Sequence, residues 1–336
     1  MVFDFSNLFK RSVDTNQHYY NQLDDVQKTV YKSILSGIES FSKEINLSIR
    51  PINDVSMIFE SVLLDNPLIF YVSSFNYIKN LYKEKCIIKP NYKYAPHFVK
   101  ENIKLINRYL QTFDFLKTAS TINKELYIHD YCLNNFRYDT SFKDYSHSIL
   151  GPILNKSAVC EGISKFIKLA LEYLDVKSLV VYGKAKNPAN ESTSEKHVWN
   201  IVIIEGKAYH LDVTFDMSLK HKINRYDYFN LAEDDIKQDH VIINKIPHCT
   251  IAGNDYMTVN SLVVNNPAEL GKHIKNSLIH GKKNILVKLR NVKDAGSIAD
   301  KVITIAQQQY RNIYKGNVAV QVQYNPSQLI FEINFI

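Results

Sequence analysis

The sequence predicts an α+β chain: a helical N-terminal region, a middle core, and a small α+β unit at the end. Three observations carry that expectation. Amphipathic runs of helical period dominate the chain up to Asn134. Strand-like runs cluster after Lys177, directly behind one further helix. From about Thr258, a strand, a helix and two more strands follow in short succession. The same signals divide the chain into 1–118 (mainly helical, with a β-hairpin), 119–250 (the core) and 258–336 (the small α+β domain).

The first helix is read from Leu23, Val26, Val30, Ile34, Leu35, Ile38, Phe41 and Ile45, beginning near Tyr20. A second runs from Asn53 or Asp54, a natural N-cap, to about Leu64, and Pro67 turns the chain. Phe70–Ile78 and Cys86–Tyr94 alternate as a hairpin. Helices at Pro96–Lys117 and Thr121–Asn134 follow. Gly151-Pro152 marks a loop, and Ser157 is positioned to cap a helix carrying Ile163, Phe166, Ile167, Ala170, Leu171 and Leu174. Strands are expected at Lys177–Ala185, His197–Ile204 and Lys207–Val213, with Lys186–Lys196 as a polar loop. The last unit holds a strand at Ile285–Leu289, a helix at Ala295–Tyr310, and strands Val318–Tyr324 and Gln328–Phe335 joined through Asn325-Pro326-Ser327.

Composition removes whole classes of function. With 45% hydrophobic and 22% charged residues, the 336-residue chain is neither disordered nor fibrous. Only ten residues are glycine, and neither GxGxxG nor GxxxxGK[ST] occurs, which argues against a Gly-rich phosphate loop. No apolar run approaches the ~20 residues of a membrane span. Met1–Asn7 has neither a basic nor an apolar leader region, so the expectation is an unprocessed start and a cytoplasmic protein. The net charge is +7, and 266–336 holds ten Lys/Arg against four Asp/Glu. Those basic residues are scattered, which fits a solvated face and not specific nucleic-acid binding. Cys86, Cys132, Cys160 and Cys249 show no CxxC spacing, and no calcium-type acidic loop is present. No metal or other cofactor is expected.

Three residues form a constellation. Counting from a Ser157 cap, Cys160 falls at the third position of its helix, over the free N–H groups and positive end that favour a thiolate. The other reading of a lone cysteine is a buried core residue. A hairpin closed at Glu205-Gly206 pairs Ile204 with Lys207, Ile201 with His210, Trp199 with Asp212 and His197 with Thr214. His197 and Asp212 then lie diagonally on one face, roughly 7–8 Å apart at the backbone. A one-residue slip would separate them. Thiol, imidazole and carboxylate in that order are the parts of a Cys-His-Asp relay for acyl chemistry.

At Ala158-Val159-Cys160-Glu161-Gly162, His197-Val198-Trp199-Asn200 and Tyr209–Asp216 the chain resembles the transglutaminase-like (papain-like cysteine hydrolase) superfamily, in its bacterial form. Ile128–Tyr131, Asn135–Asp139 and Tyr226–Asn230 extend the resemblance over Lys124–Asn230. Val213 and Phe215 stand where members often have Pro and Trp, and the animal enzymes' Gly-Gln-Cys-Trp is absent. The resemblance implies a nucleophile helix packed on an antiparallel sheet, with Cys160, His197 and Asp212 catalytic. It implies a thiol-dependent hydrolase or acyltransferase, foremost a cysteine peptidase or amidase acting on a protein or peptide through a thioester. A protein-glutamine transglutaminase and a catalytically silent scaffold module are the alternatives. Trp199 is either a wall of the acyl slot or a core residue, and His147 either a pocket residue or loop packing. The flanking regions are candidates for holding a protein partner.

Overall fold

The computed structural model describes residues 17–47, 54–80, 85–187, 190–292 and 295–336. Met1–Asn7 and Asn53, read above as an unprocessed start and as a possible cap, lie outside them. The chain is mixed α+β and forms two compact units, one of 1–128 with 139–180 and one of 129–138 with 181–336. Among the described residues, no helix is long and apolar enough to cross a membrane.

The first unit opens on α1 (Asp25–Glu39). Its start is set by Asp24 and Gln27, which bond each other's backbone N–H in a capping box. The helix stops six residues short of the expected Ile45. Phe41 takes a positive φ of 53°, and Ile45 sits in β1 (Ile45–Leu47) opposite Ile88. The chain reverses before the apolar pattern runs out, so a residue in helical phase ends as a strand residue. Next come α2 (Val55–Asp65), β2 (Val72–Asn80) and β3 (Lys85–Tyr92), the strands forming the expected antiparallel hairpin with β3 central in a β1-β3-β2 sheet. Asp54 stands at the start of α2, but its side chain makes no cap bond. Helix α3 (Pro96–Gln111) is shorter than predicted, its tail replaced by a 3-10 turn at Asp114–Leu116. Helix α4 (Thr121–Asn135) follows, then α5 (Cys160–Tyr173), which closes this unit with Ile163, Phe166, Ala170 and Leu171 buried.

The second unit is built on a five-stranded sheet from β4 (Ser178–Asn187), β5 (Asn190–Ile204), β6 (Lys207–Leu211), β7 (Phe229–Leu231) and β8 (His240–Ile242), with α6 (Val213–Leu219) between β6 and β7. The strand order is β8-β4-β5-β6-β7. Most of the expected polar loop at 186–196 is strand, because β4 and β5 are neighbours in the sheet and ladder hydrogen bonds override polar composition. Gly183 on β4 explains a close approach: an added Cβ would lie 2.5 Å from the Trp199 ring and closer still to the Val241 carbonyl oxygen.

The C-terminal part of this unit contains β9 (Val263–Val264), α7 (Pro267–Ile279), β10 (Asn284–Leu289), α8 (Gly296–Tyr314), β11 (Val320–Asn325) and β12 (Ile330–Phe335). The sheet order is β9-β10-β12-β11, parallel only between β9 and β10. Leu270, Ile274, Val302 and Ala306 of the two helices share a core with Val287, Phe331 and Ile333. Helix α7 has no counterpart among the expected elements, although Asn266 caps it, Pro267 opens it and Glu269 accepts from Asn266.

Replacing Gly183 by Ala forces either the Trp199 ring or the β8 backbone to move. Chemical denaturation should find this variant about 1–3 kcal/mol less stable than the parent.

Candidate active site

The nucleophile candidate is assembled within the first unit. Asp139 gathers the loop ahead of α5: its carboxylate accepts from Ser141 N (3.0 Å), Ser141 Oγ (2.5 Å), Lys143 N (3.1 Å) and the Ser146 hydroxyl. Its own N–H donates to Ala158 O at 3.0 Å, and Val159 N–H donates to Ser146 O at 3.2 Å. The loop therefore fixes both residues that precede Cys160. Gly162 is needed for this approach, since a Cβ there would collide with Ser146 O and lie 3.0 Å from Ser148 O. The glycine serves packing of the loop on the helix.

Cys160 is the first residue of α5, two positions earlier than counted from a Ser157 cap. Ser157 and Ala158 are extended, and Val159 is the N-cap with φ −86° and ψ 176°. Valine has no side-chain acceptor, so the cap itself does not compete for the N–H groups of the first turn. Cys160 is partly exposed, whereas Cys86, Cys132 and Cys249 are buried. His147, proposed from sequence as a pocket residue, is exposed, and its Nδ1 lies 3.2 Å from Glu161 Oε2. That contact with Glu161 raises the His147 pKa.

The acid–base candidates are assembled within the second unit. The β5–β6 register is the one expected: Ile204 opposes Lys207, Ile201 opposes His210 and Asn200 opposes Leu211. Strand β6 then ends at Leu211, short of the predicted Val213. Asp212 leaves the ladder to become the N-cap of α6, where Oδ1 accepts from Thr214 N (3.0 Å) and Phe215 N (3.1 Å). Capping needs a short acceptor side chain at this point, and that requirement ends the strand. The other oxygen, Oδ2, lies 2.6 Å from His197 Nε2.

A third residue, not anticipated from sequence, reaches the same oxygen. His240 Nε2 is 3.0 Å from Asp212 Oδ2, and His240 Nδ1 is 2.6 Å from Asp239 Oδ1. Burial would push the Asp212 carboxyl up, but the charge of His197 and hydrogen bonds from both rings hold it well below the usual carboxylate range. Trp199 lies on β5 beside His240. It is fully buried, its Nε1–H donates to His210 Nδ1 at 3.0 Å, and its ring lies stacked 6.0 Å from His197. Burial, together with His240, depresses the His210 pKa to about 3, so His210 stays neutral and accepts that bond.

His197, Asp212 and His240 also offer three metal-type ligand atoms within 4.8 Å of one another. At 2.6 and 3.0 Å, the two ring contacts to Asp212 have hydrogen-bond lengths. An ion could enter only by displacing the protons they share.

Behind Asp212, the helix it caps is braced again. Asp216 accepts from Asp227 N (2.7 Å) and Tyr228 N (3.1 Å) and pairs with His129 Nε2 at 3.0 Å. The sequence motifs at Ile128–Tyr131 and Tyr226–Asn230 thus meet at one buried carboxylate. A period or spacing argument gives no such meeting, because the three segments are far apart in the chain.

Residues 111–213 match the family model of the transglutaminase-like superfamily, and this segment includes Cys160, His197 and Asp212. The resemblance read from the sequence therefore holds for this segment. Among solved structures, the chain is similar to one of a TGase, at 16% identity and a TM-score of 0.32, covering 54% of this chain and 53% of that one. It is also similar to a proposed cysteine protease from Cytophaga hutchinsonii, at 14% identity and a TM-score of 0.25, over 42% of this chain and 61% of that one. The matched part thus spans less than two thirds of either structure. No curated protein matches the chain.

The depressed pKa of Asp212 has a defined consequence for stability. A carboxyl whose folded pKa lies below its unfolded value of ~3.9 stabilises the fold above that pH, and the contribution is lost as pH falls toward the folded value. Asp212→Asn keeps a capping side chain but removes the charge. Urea unfolding midpoints between pH ~2 and ~5 should fall less steeply with acid in this variant than in the parent.

Proposed function

We propose that the transglutaminase-like segment is a thiol-dependent acyl-transfer enzyme, acting first as a cysteine peptidase or amidase, with Cys160 as nucleophile, His197 as proton carrier and Asp212 as its orienting carboxylate. The observation that carries this reading is the buried 2.6 Å contact between His197 Nε2 and Asp212 Oδ2. With Nε2–H donating to Asp212, the nitrogen that accepts a proton is Nδ1. A positioned imidazole of fixed tautomer is what a thiol nucleophile requires. The partial exposure of Cys160 at the start of α5, against three buried cysteines, supports the choice of thiol.

The reaction runs in two halves. The Cys160 thiol yields its proton to His197 Nδ1, and the thiolate adds to an amide carbonyl. The carbonyl oxygen takes the negative charge, and the Cys160 N–H is a donor suited to it. Collapse breaks the C–N bond, His197 returns its proton to the leaving amine, and a thioester joins the acyl group to Cys160. Water then attacks the thioester, its proton passing to His197, and the acid and free thiol are released. An amine in place of water gives a new amide, so the acceptor decides between hydrolysis and transamidation.

Iodoacetamide tests this reading without a known substrate. Cys160 in the native protein should alkylate at pH ~6, where an ordinary thiol is almost wholly protonated. His197→Ala should remove most of that acid-side reactivity. A Cys160 profile that rises only above pH ~8 and is unchanged in His197→Ala would overturn the reading. On an amide substrate, Cys160→Ala should abolish turnover, and Asp212→Asn should leave a residual rate because the base remains but is misoriented.

A further inference from the structure

We propose that His240 is a positioning residue for the catalytic pair, acting on His197 through the Asp212 oxygen the two rings share, and that the C-terminal β11–β12 turn holds His240 in place. This inference rests on the reading of His197 and Asp212 given above.

The geometry is that of a buried chain of hydrogen bonds. Asp212 Oδ2 is shared by His197 at 2.6 Å and His240 at 3.0 Å. The far nitrogen of His240 contacts Asp239 Oδ1 at 2.6 Å, and Tyr228 Oη donates to Asp239 Oδ2 at 2.5 Å. Asn325 Nδ2 donates to Tyr228 Oη at 3.1 Å. Asn325 ends β11 at the turn into β12, and its Oδ1 accepts from Ser327 N and Gln328 N in that turn. Gln328 in turn donates to Asp235 O at 3.0 Å. Tyr228 and Asn325 have no solvent exposure, and His240 is 2% exposed.

Proton counting shows that His240 is more than filler. Each of its nitrogens faces a carboxylate oxygen, so the two contacts need two protons. Either the ring carries both, or a neutral ring is matched by one proton on Asp239. In both cases His240 draws on the same oxygen that supports a protonated His197. The charged and titratable groups around His240 are Asp212, Asp239, Tyr228, His197 and His210, with Phe215 and Trp199 as apolar walls. Asp212 keeps its Oδ1 bonds to α6 whether or not His240 is present. Loss of His240 should therefore leave the carboxylate in place and concentrate its charge on His197.

The test follows the imidazole titration of His197 by NMR in the full chain. His240→Leu should raise the midpoint of His197 by about 1 unit. His240→Gln, which can still donate to Asp212, should shift it less. Tyr228→Phe and Asn325→Ala should move it in the same direction by smaller amounts. Thermal unfolding of each variant separates this effect from a loss of stability. An unchanged His197 midpoint in folded His240→Leu overturns the proposal, as do equal shifts in His240→Leu and His240→Gln. Should His240→Leu fail to fold, unchanged midpoints in both Tyr228→Phe and Asn325→Ala overturn it. Iodoacetamide labelling of the parent at pH ~6 is scored separately: slow labelling of Cys160 counts against the enzyme reading, while the His197 titration still decides the role of His240.

Discussion

A single buried carboxylate sets the terms for much of the second unit. Asp212 is 1% exposed and accepts four hydrogen bonds, two on each oxygen. Taking a carboxylate out of water costs several kcal/mol unless its lone pairs are satisfied. Here the satisfaction comes from four different places: two N–H groups of α6, one ring on β5 and one ring on β8. The Asp212 N–H is used as well, donating to Tyr228 O at 3.0 Å. The end of β6, the start of α6 and the positions of His197 and His240 are therefore consequences of burying one charge.

Helix α6 carries a second buried acid one turn later. Asp212 and Asp216 both lie at its N-terminal end, where the helix dipole favours negative charge. Asp216 is held by His129 and by the N–H groups of Asp227 and Tyr228. Tyr228 thus serves both acids, its carbonyl receiving the Asp212 N–H while its N–H donates to Asp216. Arg225 adds a bidentate pair with Asp227 and lies 3.6 Å from Glu332 of β12. Replacing such ion pairs with apolar residues is often neutral or stabilising, so stability alone is a poor account of them. Their placement suits geometry better: Asp227, held by Arg225, also donates its N–H to Asp216 of the short helix that Asp212 caps.

The parts of this arrangement legible in the sequence are those that follow from local rules. The β5–β6 register came from the Glu205-Gly206 turn and the two-residue period, and the pairs Ile204–Lys207 and Ile201–His210 obey it. The same rule failed two residues on, because Asp212 had a stronger claim as a helix cap than as a ladder residue. Cys160 was placed by its helix start, yet the cap was assigned to Ser157 on side-chain preference, whereas Val159 occupies it through backbone bonds to the Ser146 loop. The region 186–196 read as a loop because its residues are polar, a property that a sheet edge or long hairpin tolerates. His240 was out of reach for a different reason. It joins Asp212 across 28 residues, and its neighbour Asp239 forms its other contact. Neither contact leaves a periodic mark.

Exposure sets one thiol of the four apart, where cysteine spacing gave no guide. Cys132 lies in α4 with no exposed surface, and burial pushes its thiol well above the ordinary range. Cys249 is likewise buried, and desolvation with some help from Glu233 pushes it up to about 12. Cys86 is buried on β3 and receives the Tyr77 hydroxyl at 3.1 Å. Only the thiolate is nucleophilic, so burial makes such cysteines inert. Cys160 is partly exposed at the start of α5, where Gly162 lets the Asp139 loop pack against the helix. The loop ahead of Cys160 and the carboxylate beside His197 follow the same logic: Asp139 and Asp212 each accept four hydrogen bonds, which fix the segments around them.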